Sequence, residues 1–256
     1  MAIISGGIFQ LTVVVGFLVI IYIIHRIIKS SGELPQIRGI AAMDALDEAV
    51  GRAAETGRPL HFTEGIRARV ESGYHVQLAA YSVMSYLAKE CAKKGARFVT
   101  VSGAEASMPL ILELCHQAAV TEGKPEMYVQ EDHYYFPEES MSAGVVSVME
   151  REKIASNVMI GQLTHEGMIF VETAAELGAY QIGGLPTGTV GMSGMWACAC
   201  DYLLIAEEAY IAGAYLSKNI SQFGTIAGTD VCSWIFLFLI VLGGVAVSAG
   251  FAFPWY

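Results

Sequence analysis

The chain has 256 residues, of which 54% are hydrophobic and only 16% are charged, whereas about 25% are charged in an average soluble domain. All 25 acidic residues and 13 of the 15 basic residues lie between positions 31 and 231, so this middle region carries a net charge of −12. This acidic balance excludes nucleic acid as a partner, because the two surfaces would repel each other.

The first predicted element is an apolar helix that begins at residue 8 and runs to about residue 24, with Ile27 and Ile28 just beyond His25 and Arg26. About 20 apolar residues are long enough to cross the hydrocarbon core of a bilayer. No Lys or Arg precedes this run and no small-residue cleavage site follows it, which favours a membrane anchor over a signal peptide. Arg26, Lys29 and Arg38 follow the span, so the positive-inside rule predicts a cytoplasmic central domain with both termini outside.

The central region alternates short apolar strands with longer helices. Helices are predicted at 40–55, 75–94, 105–120, 140–152, 165–177 and 207–216, and strands at 60–63, 97–101, 126–130, 157–162, 180–183 and 201–205. This alternation is typical of βαβ units. We therefore predict an α/β fold with a mainly parallel, Rossmann-like sheet, helices on both faces and a transmembrane helix at each end. The strand order does not follow from the sequence.

The last predicted element is a second apolar span, over residues 231–253, which ends in aromatic residues typical of a membrane interface. Its small residues Gly244 and Ser248 are four positions apart, as are Ala246 and Gly250, and this spacing lets helix backbones approach closely in lipid. The predicted domains in the cell membrane are therefore an N-terminal transmembrane helix at 1–30, a cytoplasmic α/β domain at 31–230 and a C-terminal transmembrane helix at 231–256.

Polar loops follow several of the predicted strands, and in an open parallel sheet ligands bind beyond the carboxyl ends of the strands. The candidate ligand-binding residues in these loops are Glu64, Ser102, Glu105, Glu131, His133, His165, Glu166 and Gly188. His165 could act as a general acid or base, whereas Glu166 also suits the first turn of a helix through the helix dipole. Loops of this composition also occur simply because the chain must turn, and the sequence leaves both explanations open.

The segment 131–139 is the densest cluster of acidic and aromatic residues in the chain. Its carboxylates and imidazole could hold a divalent metal, but their spacing matches no metal motif, so we predict neither a metal nor a cofactor. Tyr134, Tyr135 and Phe136 suit a contact between subunits, where aromatic residues are enriched. With Gly244, Ser248 and Gly250 they form the predicted oligomer contacts.

Short segments throughout the central region are recognisable together: LHFTEG at 60–65, YQIGG at 180–184, CDYLLIAEE at 200–208, AGAYLS at 212–217 and IAGTD at 226–230. With the hydrophobic ends, they resemble an uncharacterised family of prokaryotic membrane-anchored α/β domains of unknown function. The resemblance covers about residues 60–231 in short pieces. It implies the same architecture, but it carries over no catalytic residue because the family has no established activity.

Two functions remain as hypotheses. The first is a non-enzymatic, membrane-anchored assembly or scaffold protein, because common catalytic motifs such as Gly-x-Ser-x-Gly and His-Glu-x-x-His are absent from the sequence. Its partners would be the lipid bilayer, further copies of the chain in a homo-oligomer, and a second protein. The alternative is a small-molecule-binding or enzymatic domain that uses the strand-end loops. A transporter subunit is less favoured, because neither span contains a buried charge.

Overall fold

The computed structural model describes residues 7–31, 41–65, 74–163, 166–185, 194–205, 208–217 and 220–248. The chain divides into two compact units, one formed by residues 1–38 with 218–256 and the other by residues 39–217. The first unit contains two long apolar helices, and the second contains a sheet with its surrounding helices.

The helices and strands follow one another in nearly regular alternation. The helices are α1 Gly7–Ser31, α2 Ala41–Thr56, α3 Tyr74–Lys94, α4 Met108–Thr121, α5 Met141–Glu152, α6 Glu166–Glu176, α7 Glu208–Ser217 and α8 Ile220–Ser248. The strands are β1 Leu60–Gly65, β2 Phe98–Ser102, β3 His133–Tyr135, β4 Ser156–Gln162, β5 Tyr180–Leu185 and β6 Tyr202–Ile205. Short 3-10 turns lie at Glu105–Ser107, Pro125–Met127 and Gln130–Asp132.

The six strands form one sheet in the order β3-β2-β1-β4-β5-β6, and all neighbouring pairs are parallel. This result confirms the predicted α/β class and adds the strand order, which is that of the doubly wound Rossmann fold. From β1 the next two strands, β2 and β3, are added on one side, and β4, β5 and β6 are then added on the other side. The carboxyl ends of β1 and β4 therefore flank the point where the order reverses, which is where such sheets form a ligand crevice.

Each face of the sheet packs a separate hydrophobic core. Leu60 and Phe62 of β1 lie in the first core, which includes side chains from α2, α3 and α4. Val99 of β2 and Met159 of β4 lie in the second, with side chains from α5 and α6. Because successive side chains of a strand point to opposite faces, Glu64 lies on the same face as Leu60 and Phe62.

One predicted strand is wrong. Residues 126–130 form no strand, and the third strand is the edge strand His133–Tyr135. Pro125 fixes its own backbone angle and opens a 3-10 turn at the position where the strand was expected. As a consequence Glu131 precedes β3 instead of following a strand, so it does not lie at the carboxyl edge of the sheet. His133 pairs with Thr100 in the middle of β2.

The two long helices of the first unit are apolar enough to span a membrane, over Leu11–Ser31 and Phe223–Val245. They run antiparallel, and Gly224 and Gly228 of α8 allow a close approach to α1. A Cβ atom at Gly228 would lie 3.0 Å from the Cα atom of Ile21. The rings of Phe17 and Phe236 meet edge to face at 5.9 Å. The two helices thus pack through a Gly-x-x-x-Gly motif that is not among the contacts predicted from the sequence.

Candidate functional site

The side chain of Glu64 is buried at the carboxyl end of β1, beside the reversal of strand order. It is 0% exposed, because it occupies the position in the strand alternation that points into a hydrophobic core. Ser102, at the carboxyl end of β2, donates a hydrogen bond of 2.5 Å from its hydroxyl to Oε1 of Glu64. The structure thus brings together two of the residues predicted from the sequence.

Two side chains from helical segments extend this site. Ser107, the last residue of the 3-10 turn after β2, receives a hydrogen bond of 2.6 Å from the hydroxyl of Tyr81 in α3. Both are buried, and the Ser107 hydroxyl acts on the Glu64 carboxyl, lowering its pKa. Gln77 lies four residues before Tyr81 and therefore on the same face of α3.

Two buried side chains, one on β1 and one on α3, carry polar atoms without partners. In the part of the chain that the structure describes, Oε2 of Glu64 and both amide atoms of Gln77 have no hydrogen-bond partner. Gln77, like Glu64, is 0% exposed. A buried polar group without a partner costs about 1–3 kcal/mol of stability, so such groups are rare and call for an explanation. A bound ligand that pairs with them is one explanation.

Burial raises the pKa of Glu64 and thereby favours the uncharged form of its carboxyl group. Desolvation disfavours the charged carboxylate and raises the pKa of Glu64 to about 7, while the hydroxyls of Ser102 and Ser107 act in the opposite direction. No basic side chain among the described residues acts on this carboxyl. The group is therefore poised between its neutral and charged forms near neutral pH, a property that is common at functional sites.

The backbone of β4 fixes the position of Glu64. Strands β1 and β4 shift register between Thr63 and Gly65. There, the Gly161 backbone packs so closely against the carbonyl of Glu64 that a Cβ atom would overlap it. Only glycine fits at this point of contact. The carboxyl is thus held by a close approach of the two strands that flank the reversal of strand order.

The remaining candidate ligand residues do not join this cluster. Glu105 is exposed in the 3-10 turn after β2, and Glu131 is exposed ahead of β3. Glu166 is half-buried at the start of α6. His165 and Gly188 lie outside the described residues.

His133 has a local structural role instead. Its Nδ1 atom lies 2.9 Å from the hydroxyl of Thr100, and its ring stacks on Tyr128 at 5.5 Å between centroids. Desolvation lowers the pKa of His133 to about 4, so the ring is neutral at physiological pH. Among the described residues, no group of three or more His, Cys, Asp or Glu side chains is placed to hold a metal ion.

The aromatic residues proposed as oligomer contacts largely pack within the chain. The rings of Tyr134 and Phe136 stack at 6.4 Å, and Phe136 covers Gly144 of α5. Tyr135 is the more accessible member, with 39% of its surface exposed.

The small residues of α8 are divided between two surfaces. No described atom lies within 4 Å of the Cβ position of Gly244, and Gly244 and Ser248 are both exposed. Gly250 lies outside the described residues. The close helix contact inside the chain is formed by Gly224 and Gly228 instead.

A family model for a domain of unknown function, DUF6754, matches residues 5–254. The chain belongs to the DUF6754 family. This membership agrees with the resemblance to an uncharacterised family seen in the sequence. No curated protein and no solved structure matches the chain significantly. The chemistry of this DUF6754 chain therefore has to be argued from its own residues.

The loop after β1 separates the DUF6754 chain from dinucleotide-binding proteins that share its strand order. In those proteins the turn after the first strand reads Gly-x-Gly-x-x-Gly, so that the backbone can approach a pyrophosphate. Here the chain continues from Gly65 as Ile-Arg-Ala-Arg-Val-Glu-Ser-Gly, which lacks that spacing. The preceding residue is Glu64, whose carboxylate would repel a phosphate.

Proposed function

We propose that this protein is a membrane-anchored binding protein whose α/β domain holds a small polar ligand at the carboxyl edge of β1 and β2. The observation that carries the proposal is the set of buried polar atoms of Glu64 and Gln77 that have no partner in the described part of the chain. Glu64 lies at the end of β1, beside the reversal of strand order where open α/β sheets bind ligands, and Gln77 lies near the start of α3, the helix that follows β1. A ligand that pairs with these atoms would recover the stability that they cost.

Two substitutions test whether the unpaired atoms serve a ligand, because removing an unpaired buried group should raise the stability of the fold. Glu64→Gln keeps the acceptor for Ser102 but removes the buried charge, and Gln77→Met replaces an unpaired amide by an apolar group of similar shape. If these groups serve a ligand, both variants should be more stable than the wild type and should bind the ligand less tightly, the usual exchange of stability for function. A purely structural role predicts a less stable fold.

Native mass spectrometry of the full chain in mild detergent measures the bound ligand directly. We expect a defined extra mass on each wild-type protomer, which Glu64→Gln and Gln77→Met lose. Glu105→Gln is the matched control, because Glu105 is exposed in the neighbouring turn and should keep the mass. A wild-type protomer without extra mass, or an extra mass that both site variants keep, would contradict the proposal.

The membrane location is part of the same proposal. Two helices of suitable length and hydropathy support it. The basic residues Arg26 and Lys29 near the C-terminal end of α1, with Arg38 beyond it, favour a cytoplasmic central domain with both termini outside. Cysteine labelling in intact cells tests this topology: a cysteine introduced at Glu105 should resist a membrane-impermeant reagent until the cells are opened. Labelling of that cysteine in intact cells would refute the cytoplasmic placement.

A second candidate function is assembly through α8 into a homo-oligomer. It is supported by the exposed, uncontacted surface around Gly244 and Ser248, because small residues allow close helix packing in lipid. Gly244→Leu should then reduce the particle size in mild detergent, whereas Gly16→Leu on the exposed surface of α1 should not. An unchanged particle size for Gly244→Leu would remove this contact from consideration.

A further inference from the structure

One acidic residue lies inside the second apolar helix. The span predicted from the sequence begins at residue 231, directly after Asp230, whereas the part of α8 that is apolar enough to cross a membrane is Phe223–Val245 and includes Asp230. At 1.5 Å per residue, Asp230 lies about 10 Å from the start of this span. A carboxyl group is costly inside a bilayer, so an acidic residue at this depth points to a functional contact.

The register between α8 and α1 supports the same depth for Asp230. Gly228 packs against Ile21, and the thiol of Cys232 lies 3.9 Å from the carbonyl oxygen of Phe17. Asp230 is midway between these two contacts. It is therefore level with the apolar run of α1 and not with the basic residues near the end of that helix.

Asp230 has no partner within the described part of the chain. It is exposed, and it faces away from α1, because two residues beyond Gly228 correspond to about 200° around a helix. No described side chain forms a hydrogen bond or an ion pair with it. Gly244 and Ser248 lie about four and five turns further along the same face of α8. The outer face of α8 thus carries an acidic group near one end and small residues near the other.

The outer face of α1 carries groups that complement Asp230. Tyr22 is 63% exposed, and Arg26, one turn later on the same side of the helix, is also exposed. Leu18 and Val15 continue this face as exposed apolar side chains. In the register described above, Tyr22 and Asp230 are about 4.5 Å apart along the helix axes. Because side chains lean toward the N-terminus of their own helix, these two lean toward each other in antiparallel helices.

We propose that the outer face of α8 binds the outer face of α1 in a second copy of the chain, an inference that rests on the membrane location proposed above. Asp230 then pairs with Tyr22 and Arg26 of the partner subunit. Copies with the same orientation in one bilayer hold these groups at matching depths. The Tyr22 hydroxyl donates to an ionised carboxyl and also pairs with a protonated one.

The symmetry of this contact follows from the position of the two faces. They lie on opposite sides of the α1–α8 pair, so each copy offers α8 to one neighbour and α1 to the other. Such a heterologous contact produces a closed ring or an open row of copies. A two-fold contact between two α8 helices would instead place two Asp230 carboxyl groups together, where their charges repel.

Disulfide cross-linking in membranes tests the contact. Val15 and Trp234 are level in the same register and are exposed on the two outer faces. A chain that carries both Val15→Cys and Trp234→Cys should form a ladder of linked multimers, and either substitution alone should not exceed the background of the wild-type cysteines. Within one copy the two positions lie on opposite sides of the helix pair, too far apart for a disulfide. Coexpression of the two single variants should give dimers only.

Two substitutions in the cross-linking chain test the role of Asp230. Asp230→Leu and Tyr22→Phe should each reduce the linked fraction about three- to thirtyfold, the range expected for a hydrogen bond between helices in lipid. Together they should lose little more than Asp230→Leu alone, because both remove the same interaction. Thr229→Val is the control, since the Thr229 hydroxyl donates to the Ile226 carbonyl of its own helix at 2.7 Å, and it should leave the ladder unchanged.

The outcomes separate this contact from the membrane location on which it rests. Release of the chain from membranes by alkaline carbonate would refute the membrane location and the contact together. A retained chain without a ladder would overturn the contact alone, as would a ladder that Asp230→Leu leaves unchanged. Efficient linking by Trp234→Cys alone would overturn it in favour of a two-fold α8 contact, and a link to a different protein would overturn it in favour of another partner. The ligand site of the α/β unit is independent of these results.

Discussion

Replacing Glu64 by glutamine should change how the stability of this protein depends on pH. The pKa of Glu64 is raised from 4.5 to about 7 in the folded chain by desolvation. Between these values the folded state holds a proton that the unfolded state has lost, so the free energy of unfolding falls as pH rises. The contribution is fully present below pH 4.5 and is lost as pH rises through about 7.

The size of this change in the free energy of unfolding follows from the shift in the pKa of Glu64. Each pKa unit corresponds to about 1.4 kcal/mol, so the rise at Glu64 corresponds to about 3 kcal/mol across this window. The wild-type profile alone is not diagnostic, because desolvation lowers the pKa values of His61 and His133 to about 4. These buried histidines produce the opposite slope, since stability due to them is gained as pH rises toward 6.5.

The informative quantity is therefore the difference between the wild type and Glu64→Gln at each pH, in which the histidine contributions cancel. Urea unfolding of the full chain in detergent should show nearly equal stability at about pH 4.5 and an advantage of about 3 kcal/mol for the variant at about pH 8. In melting temperature this advantage is about 6–12 °C for a domain of this size. A difference that stays flat with pH would refute the reasoning, and Glu105→Gln serves as the exposed control.

Three further substitutions, two of them paired with a control substitution, test the packing described above by urea unfolding or cross-linking. Gly161→Ala should destabilise the α/β unit by about 2–4 kcal/mol, because its Cβ would overlap the backbone of β1. Gly51→Ala is the control, because Gly51 lies in the open interior of α2, and it should be neutral or stabilising by up to about 1 kcal/mol. Equal losses of stability for Gly161→Ala and Gly51→Ala would refute the close contact between Gly161 and β1 as the cause. Gly228→Leu should separate α1 from α8 and reduce cross-linking between Cys232 and a cysteine introduced at Phe17, whereas Gly243→Leu should leave that cross-link unchanged. Arg97→Ala should cost about 1–3 kcal/mol, because it removes the bidentate partner of the buried Asp132; a loss below about 0.5 kcal/mol would show that this pair behaves like an exposed one.

Much of the fold could be predicted from the sequence because each central strand is a short apolar run between helices. The order of the strands could not be, because it depends on which edge each crossover helix packs against, and that choice leaves no local pattern. The error at β3 has a specific cause. Met127 and Val129 alternate with polar residues as they would in a strand, but Pro125 starts a 3-10 turn and the pairing with β2 begins only at His133.

The candidate site was predictable only where it lies on strands. Glu64 and Ser102 follow from the rule that ligands bind at the carboxyl ends of parallel strands. Gln77, Tyr81 and Ser107 come from helical segments, and their contribution depends on how α3 and the 3-10 turn pack over the sheet. One signal was available: Gln77 and Tyr81 are polar residues four apart on a helix whose face toward the sheet is otherwise apolar.

On the opposite face of the sheet, a row of buried polar side chains forms hydrogen bonds within the fold. His61, Asn157 and Gln181 lie side by side on β1, β4 and β5. Nδ1 of His61 lies 2.8 Å from Oδ1 of the Asn157 side chain, and the Gln181 side chain donates to two backbone carbonyl groups at 3.0 and 3.1 Å. In this row, among the described residues, only Nε2 of His61 lacks a partner.

The site at the carboxyl edge differs in kind from this row. Among the described residues, Oε2 of Glu64 at this edge and both amide atoms of Gln77 in α3 have no partner, at a cost of about 1–3 kcal/mol for each unsatisfied group. The total is a large fraction of the roughly 5–15 kcal/mol that stabilises a typical domain. Apolar side chains fill the same face two and four residues earlier in the strand, at Phe62 and Leu60, so the fold accepts an apolar residue in this alternation. The cost of these unpaired groups, with Glu64 beside the reversal of strand order, is the physical basis of the proposed ligand.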